Sequence, residues 1–181
     1  MKKIVQGVTI ECVKGNIANQ LDCDTVVNAA NAQLRMGGGV AGAIHRTAGP
    51  ELEKECIPLG PIKPGEAVIT GAYNLPNKHV IHCLGPVYGR DKPERELLSS
   101  CYKNALKLAD ENKLESIAFC AISCGIFGYP LKEGAEAALG AVIKKIPELK
   151  NVKLIRFVLF GDKACEVFSK ILEEKGSHLF F

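Results

Sequence analysis

The chain has 181 residues and a mass of 19.5 kDa, about one domain on a prior of ~150 residues each. Its 47% apolar and 24% charged residues exclude a disordered, collagen-like or coiled-coil architecture. A net charge of only +3 and 6% aromatic residues without tryptophan disfavour nucleic acid as a partner.

The N-terminal MKKIVQGVTIECVKG has two lysines but no long apolar run and no small-residue cleavage site. No stretch approaches the ~18 consecutive apolar residues of a membrane span. A cytoplasmic protein without membrane contact is the expectation.

Val5 to Val13 reads as one strand, with Val8, Ile10 and Cys12 alternating against polar neighbours. Thr25 to Asn28 is short, β-branched and suited to a buried strand. Gly37 to Gly39 punctuate the chain before a helix over Val40–Ala48. Pro50–Cys56 is a second helical segment, ended by Pro58-Leu59-Gly60-Pro61. Glu66–Ala72 and Lys78–Leu84 read as strands joined by a turn at Asn74–Asn77. Pro93 stands near the start of a helix carrying Leu98, Cys101, Ala105 and Leu108 at helical spacing. Ser116–Ile122 is an apolar run of strand length. Leu131, Ala135, Ala138, Leu139, Val142, Ile143 and Ile146 share one face of a helix that Pro147 stops. Val152–Phe160 is another buried strand, and Ala164, Val167, Phe168, Ile171 and Leu172 mark a final amphipathic helix. Strands separated by helices predict an α/β layered sheet, mostly parallel in its centre, in a single domain over residues 1–181. The apolar end Leu179-Phe180-Phe181 fits a packed terminus, a partner contact or a frayed tail equally well.

The eight cysteines form no CxxC pair; the nearest spacing is CxxxC at Cys120 and Cys124. His79 and His82 are three apart and would point to opposite faces of a strand. Reduced cysteines used as small core residues are the expectation, rather than a disulfide framework or a metal site.

Two strand ends are equipped for ligand chemistry. Asn28 and Asn31 follow the Thr25 strand, then come three glycines and a helix, so main-chain amides and a helix N-terminus can approach an anion. Asparagine amides suit sugar hydroxyls, although both residues also fit turn or capping roles. AISCGIFGYP, Ala121 to Pro130, repeats the strand, glycine loop, helix pattern. Two cradles on neighbouring strand ends suit a diphosphate with sugars on both sides. The first loop lacks the Lys-Ser/Thr ending of a P-loop and does not match GxGxxG with its acidic partner. Spacing alone stops at a nucleotide-sugar or diphosphate binder.

VNAAN, followed by LxxGGGVxGAIHxxAGxxLxxEC from Leu34 to Cys56, resembles the macro domain family, specifically its MacroD-type branch. The similarity continues through GEAVITGAYNLPNKHVIHCLGP, Gly65 to Pro86, and SCGIFGYP, Ser123 to Pro130, and spans about residues 4–173. The resemblance implies a three-layer α/β/α fold with a mixed, mostly parallel sheet and a cleft for ADP-ribose. Carried over by position, Asn31 contacts the distal ribose near the scissile C1″ bond, and Asn28 supports the same loop. The backbone of Gly38, Gly39 and Val40 lines the distal ribose and diphosphate. Ser123, Gly125, Ile126, Phe127 and Gly128 wrap the diphosphate from the opposite side. Phe160 packs on the adenine, or is simply core.

Two departures from the family pattern bear on function. Gly15-Asn16-Ile17 stands where many members read GDI, whose Asp accepts a hydrogen bond from the adenine amino group. Asn16 can accept through its amide oxygen more weakly, and Ile17 keeps its place beside it, so adenine specificity is expected to survive. Hydrolytic members usually read GGGVDGAIH, whereas this chain has Ala41 in place of the Asp thought to orient the attacking water. Some members with alanine there are still associated with hydrolysis, with water activated by the substrate's own phosphate. His45, four residues on and on the same helical face, is a substitute base or else a helix anchor through a hydrogen bond.

The resemblance thus implies an ADP-ribose-binding hydrolase of ADP-ribosyl esters. Its substrates would be mono-ADP-ribosylated protein carboxylates, O-acetyl-ADP-ribose and ADP-ribose 1″-phosphate, turned over with no metal or diffusible cofactor. A non-catalytic ADP-ribose reader is the alternative that Ala41 favours.

Overall fold

In the computed structural model of the protein, which describes residues 1–177, the N-terminal segment is a hairpin rather than one strand. Strand β1 (Lys2–Val5) pairs antiparallel with β2 (Val8–Lys14), in register Lys2↔Glu11 and Val5↔Val8. Gln6 and Gly7 between them both take left-handed backbone, φ 48° and 81°, the geometry of a tight two-residue hairpin turn. The alternation of Val8, Ile10 and Cys12 belongs to β2 alone, and a single glycine was too small a break to end the pattern read before it. Leu179-Phe180-Phe181 lie outside the described residues.

The remaining elements follow the expected order. They are β3 (Thr25–Ala29), α1 (Gly39–Ala48), α2 (Pro50–Cys56), β4 (Ala67–Gly71), β5 (His79–Cys83), α3 (Glu94–Glu111), β6 (Ser116–Phe119), α4 (Leu131–Lys145), β7 (Leu154–Leu159) and α5 (Asp162–Ser177). The strands form one seven-stranded sheet in the order β1-β2-β7-β6-β3-β5-β4. The five central strands run parallel, and β1 and β4 close the two edges antiparallel.

Period-two alternation divides the sheet's side chains between two cores. Ile10, Val27, Ile81, Ile117, Phe119, Ile155 and Phe157 face α3, α4 and α5. Val26, Val80, Ala118 and Val158 face α1 and α2. These are three layers, as the family resemblance implies. Six of the eight cysteines are buried and free, while Cys124 and Cys165 are half-buried and free. Among the described residues no three His, Cys, Asp or Glu side chains group as a metal site. No helix there is long and apolar enough to cross a membrane.

Parallel alignment has one consequence for function. The carboxyl ends of β2, β7, β6 and β3 lie along a single edge of the sheet in that order. At ~4.8 Å between strands, that row spans about 14 Å, the length scale of a diphosphate with a base at one end and a sugar at the other.

Candidate active site

A cavity of about 280 Å³ opens between the carboxyl ends of β3 and β6. One wall is Ala29 and Ala30 with Gly38, Gly39 and Val40; the other is Ala121 to Ser123 with Gly125, Ile126 and Phe127. The two glycine loops singled out in the sequence therefore face each other across one cleft.

On the first wall, α1 begins at an N-cap glycine, Gly38, with no side-chain cap and no acidic residue in its first turn. The leading amides of a helix have no carbonyl partners of their own and carry its partial positive charge, so this end is left for an anion from outside. Gly39 adopts φ 56°, a left-handed turn that aims the chain into the helix and suits glycine.

On the second wall, the loop is closed by Cys124 N–H to Ala121 O at 3.2 Å, Gly128 N–H to Gly125 O at 3.0 Å and Tyr129 N–H to Ser123 O at 2.9 Å. Among the described residues, the amides of Ser123, Gly125, Ile126 and Phe127 donate to no main-chain carbonyl. Ser123 is buried with φ 66°, and its hydroxyl has no hydrogen-bond partner in the described structure. An unspent row of donors, held in a strained turn, is an anion cradle. Gly85 makes this packing possible, because a Cβ there would collide with the Ser123 side chain.

Asn31 closes its own loop. Its Oδ1 accepts from Arg35 N–H at 3.0 Å and its Nδ2 donates to Arg35 O at 2.8 Å. A Cβ on Gly37 would lie 3.3 Å from Asn31 Nδ2 and 4.0 Å from Ala41 Cβ, so position 37 separates the asparagine from the helix residue that lacks a carboxylate. Asn31 therefore has the local turn role left open by the sequence, whatever else it touches.

Asn28 lies beneath this loop, buried among α1, α2 and the sheet. Its Nδ2 is 3.0 Å from His82 Nδ1, and His82 Nε2 is 2.9 Å from Thr70 Oγ1. Thr70 Oγ1 in turn donates to Gly71 O at 3.0 Å. This chain is consistent in one sense only: Asn28 donates to Nδ1, and the proton on Nε2 is given to Thr70. Burial, and secondarily the proximity of His45, push the His82 pKa down to about 3, so the ring is neutral.

His45 is 1% exposed on the inner face of α1, with its ring centroid 6.4 Å from that of His82. Burial lowers its pKa, with Glu53 acting weakly in the opposite direction. Neither ring nitrogen has a hydrogen-bond partner in the described structure, so no anchoring bond is present. The residue sits behind the cleft wall and not in it.

The sequence-derived base contacts lie further along the sheet edge. Phe160, which follows β7, is 94% exposed, so the reading of it as a core residue does not hold. Asn16 follows β2, and Gly15 N–H donates to Leu159 O at 2.9 Å, which sets Asn16 and Phe160 on adjacent strand ends. Ile17 is buried in the core under α1 and α2. None of the three lines the cavity between β3 and β6.

Several supporting residues escaped sequence reasoning. Tyr102 on α3 donates from its hydroxyl to Cys120 O at 3.2 Å and accepts from Ile122 N–H at 3.0 Å, holding the second loop from behind. Arg156 on β7 grips Glu11 at 2.7 Å and Asp22 at 2.7 and 2.8 Å, and reaches Gln20 Oε1 at 3.0 Å. The Arg156 hydrogen bond holds the Asp22 carboxyl down at about 2. Arg156 alone carried a clue, as a lone charge inside an otherwise apolar strand.

Comparison with known proteins agrees with this architecture. The Macro domain family matches over residues 27–138. An O-acetyl-ADP-ribose deacetylase of Klebsiella pneumoniae is 43% identical over 167 residues, covering 90% of this chain and 95% of that protein. The solved Oceanobacillus iheyensis macrodomain with ADP superposes with a TM-score of 0.93 at 38% identity, covering 98% of this chain and 97% of that one. The Trypanosoma brucei macrodomain in complex with ADP-ribose gives a TM-score of 0.84 at 37% identity, covering 90% of this chain and 68% of that one. With its glycine loops facing across the carboxyl end of a mixed seven-stranded sheet, this chain belongs to the macro domain family.

Proposed function

We propose that this protein binds ADP-ribose in the cleft between β3 and β6 and hydrolyses ADP-ribosyl esters there. The observation that carries the reading is the pair of facing main-chain donor sets: the uncapped start of α1 and the unspent amides of Ser123 to Phe127. Neutral amide donors on both walls suit a diphosphate. The exposed Phe160 ring suits the adenine and the Asn31 loop suits the distal ribose; Asn28, at the end of the strand that leads into that loop, is tied by its amide to His82. The deacetylase relative supports ester hydrolysis, and the relatives solved with ADP and ADP-ribose support the ligand.

In the hydrolytic step, water attacks C1″ and the carboxylate, or the phosphate of the 1″-phosphate, leaves; alternatively water adds to the ester carbonyl and the ribose oxygen leaves, taking up the proton that the water gave up. A phosphate oxygen of the substrate holds the water and takes its proton, since Ala41 offers no base. His45, buried behind the cleft wall, lies outside the cavity lining and takes no part in this step. The substrates would be mono-ADP-ribosylated carboxylates, O-acetyl-ADP-ribose and ADP-ribose 1″-phosphate.

The test is release of free ADP-ribose from a glutamate-linked mono-ADP-ribosylated protein, beside an Asn31→Ala control. Release that disappears in the control is expected. No release, together with a melting temperature raised by ADP-ribose, would replace the hydrolase with a non-catalytic reader, the reading that the missing carboxylate in the first turn of α1 favours.

A further inference from the structure

Further along the same sheet edge, where the family resemblance places the base, two exposed residues stand on adjacent strand ends, Phe160 and Asn16. Phe160 presents its ring from the end of β7 with 94% exposure. Stacking on such a ring is worth having for any flat base and distinguishes poorly between bases. Discrimination therefore falls to the polar edge group next to it, which is Asn16.

The orientation of Asn16 is determined by its own turn. Its Oδ1 accepts the Ala18 N–H at 2.9 Å, an arrangement that only the oxygen end of the amide can satisfy. Its main-chain oxygen accepts from Asn19 N–H at 3.0 Å and from Gln20 Nε2 at 2.8 Å. Gln20 is held in turn by Arg156, itself clamped between Glu11 and Asp22. The oxygen faces inward, and the Nδ2 amino group has no partner among the described residues. The side chain therefore offers the base a donor, where a carboxylate would offer an acceptor.

Resting on the ADP-ribose reading above, we infer that Asn16 makes the base end of this cleft tolerant of 6-oxo purines, so that hypoxanthine is bound as readily as adenine. An amide donor is satisfied by O6 of hypoxanthine directly, or by N1 of adenine when the base slides in its plane on the Phe160 ring. A carboxylate at the same place would accept from the adenine 6-amino group and repel the 6-oxo oxygen. Asn16 is thus a specificity-determining residue for the nucleobase.

The experiment is calorimetric titration of the intact chain, and of Asn16→Asp, with ADP-ribose and with its inosine analogue, IDP-ribose. Asp at 16 still offers an oxygen to Ala18 N–H, so the turn survives, which an unchanged melt verifies. In the wild-type chain the two dissociation constants are expected to agree within about threefold; in Asn16→Asp, ADP-ribose is expected to bind at least about tenfold more tightly, the scale of one charge-assisted hydrogen bond at an exposed site. A wild-type preference for ADP-ribose of tenfold or more overturns the inference, as does an Asn16→Asp variant that remains tolerant. Failure of a folded wild-type chain to bind either ligand would refute the ADP-ribose reading itself, and this inference with it.

Discussion

Lowering the pH from 7.5 to 5.0 should cost this protein stability, chiefly through His82. In the fold its Nδ1 accepts from Asn28 and its Nε2 proton goes to Thr70, so a second proton would set two donors against each other in a buried site. The folded pKa of about 3 lies well below the ordinary value of 6.5. The unfolded chain therefore binds more protons than the folded one between those two values, and stability rises with pH across that window. The His82 contribution is complete above about pH 6.5 and is lost as the pH falls towards 3. Evaluated at pH 5.0, the linkage gives a loss of ~2 kcal/mol relative to pH 7.5. With a urea slope of about 2 kcal/mol/M, the denaturation midpoint falls by roughly 1 M. His45, also lowered by burial, shifts stability in the same direction. The assay is urea unfolding at several pH values for wild type and His82→Gln. The variant sits lower throughout but loses its stability less steeply with acid. Parallel losses in the two proteins would show that His82 is not held neutral, and would undo the hydrogen-bond sense assigned to Asn28.

The other predictions concern the cleft. Asn31→Ala is expected to abolish ADP-ribose release while costing at most about 2 kcal/mol, because its two bonds to Arg35 lie near the surface; an unfolded variant by circular dichroism would make the residue primarily structural. Ala41→Asp is expected to raise the hydrolysis rate towards the ~10²–10⁴-fold of general-base assistance; an unchanged rate with binding preserved would show that position 41 does not limit turnover. Gly39→Ala places a methyl in open space but at φ 56°, so a loss of ~1–2 kcal/mol is expected from backbone strain alone. Gly38→Ala has equal room without that strain; its melt should hold while ADP-ribose affinity falls, and equal losses of stability in the two variants would refute the distinction.

Much of the architecture was legible because a parallel sheet writes itself into sequence as short apolar runs between amphipathic helices. The cleft was legible for a related reason: the glycine loops follow buried strands directly, and chain order alone puts strand ends and helix starts at one edge. Other features were not. The β1–β2 turn was hidden because Gln6 carries no turn signature and the alternation runs on past Gly7. Phe160 could be read as core because it follows an apolar strand, and only the end of pairing at Leu159 shows that it has left the sheet. The orientation of Asn16 rests on which of its two amide atoms the backbone occupies, a matter of about 3 Å geometry that composition and spacing cannot express. His82 and Tyr102 were equally silent, since they act through partners 54 and 18 or 20 positions away.

The same first turn that weakens the case for catalysis strengthens the case for binding. A helix start with no carboxylate directs its entire partial positive charge at whatever anion enters the cleft, whereas an Asp at position 41 would neutralise part of that field within one turn of the diphosphate. On the proposed function, position 41 would therefore set affinity against chemistry. If the reasoning is right, Ala41→Asp raises the rate and weakens ADP-ribose binding together, with each carboxylate effect near a helix end worth ~0.3–1 kcal/mol. A variant that gains rate at undiminished affinity would mean that the amides of Ser123 to Phe127, and not the start of α1, supply most of the hold on the diphosphate. The two walls of the cleft can in this way be weighed against each other by a single substitution.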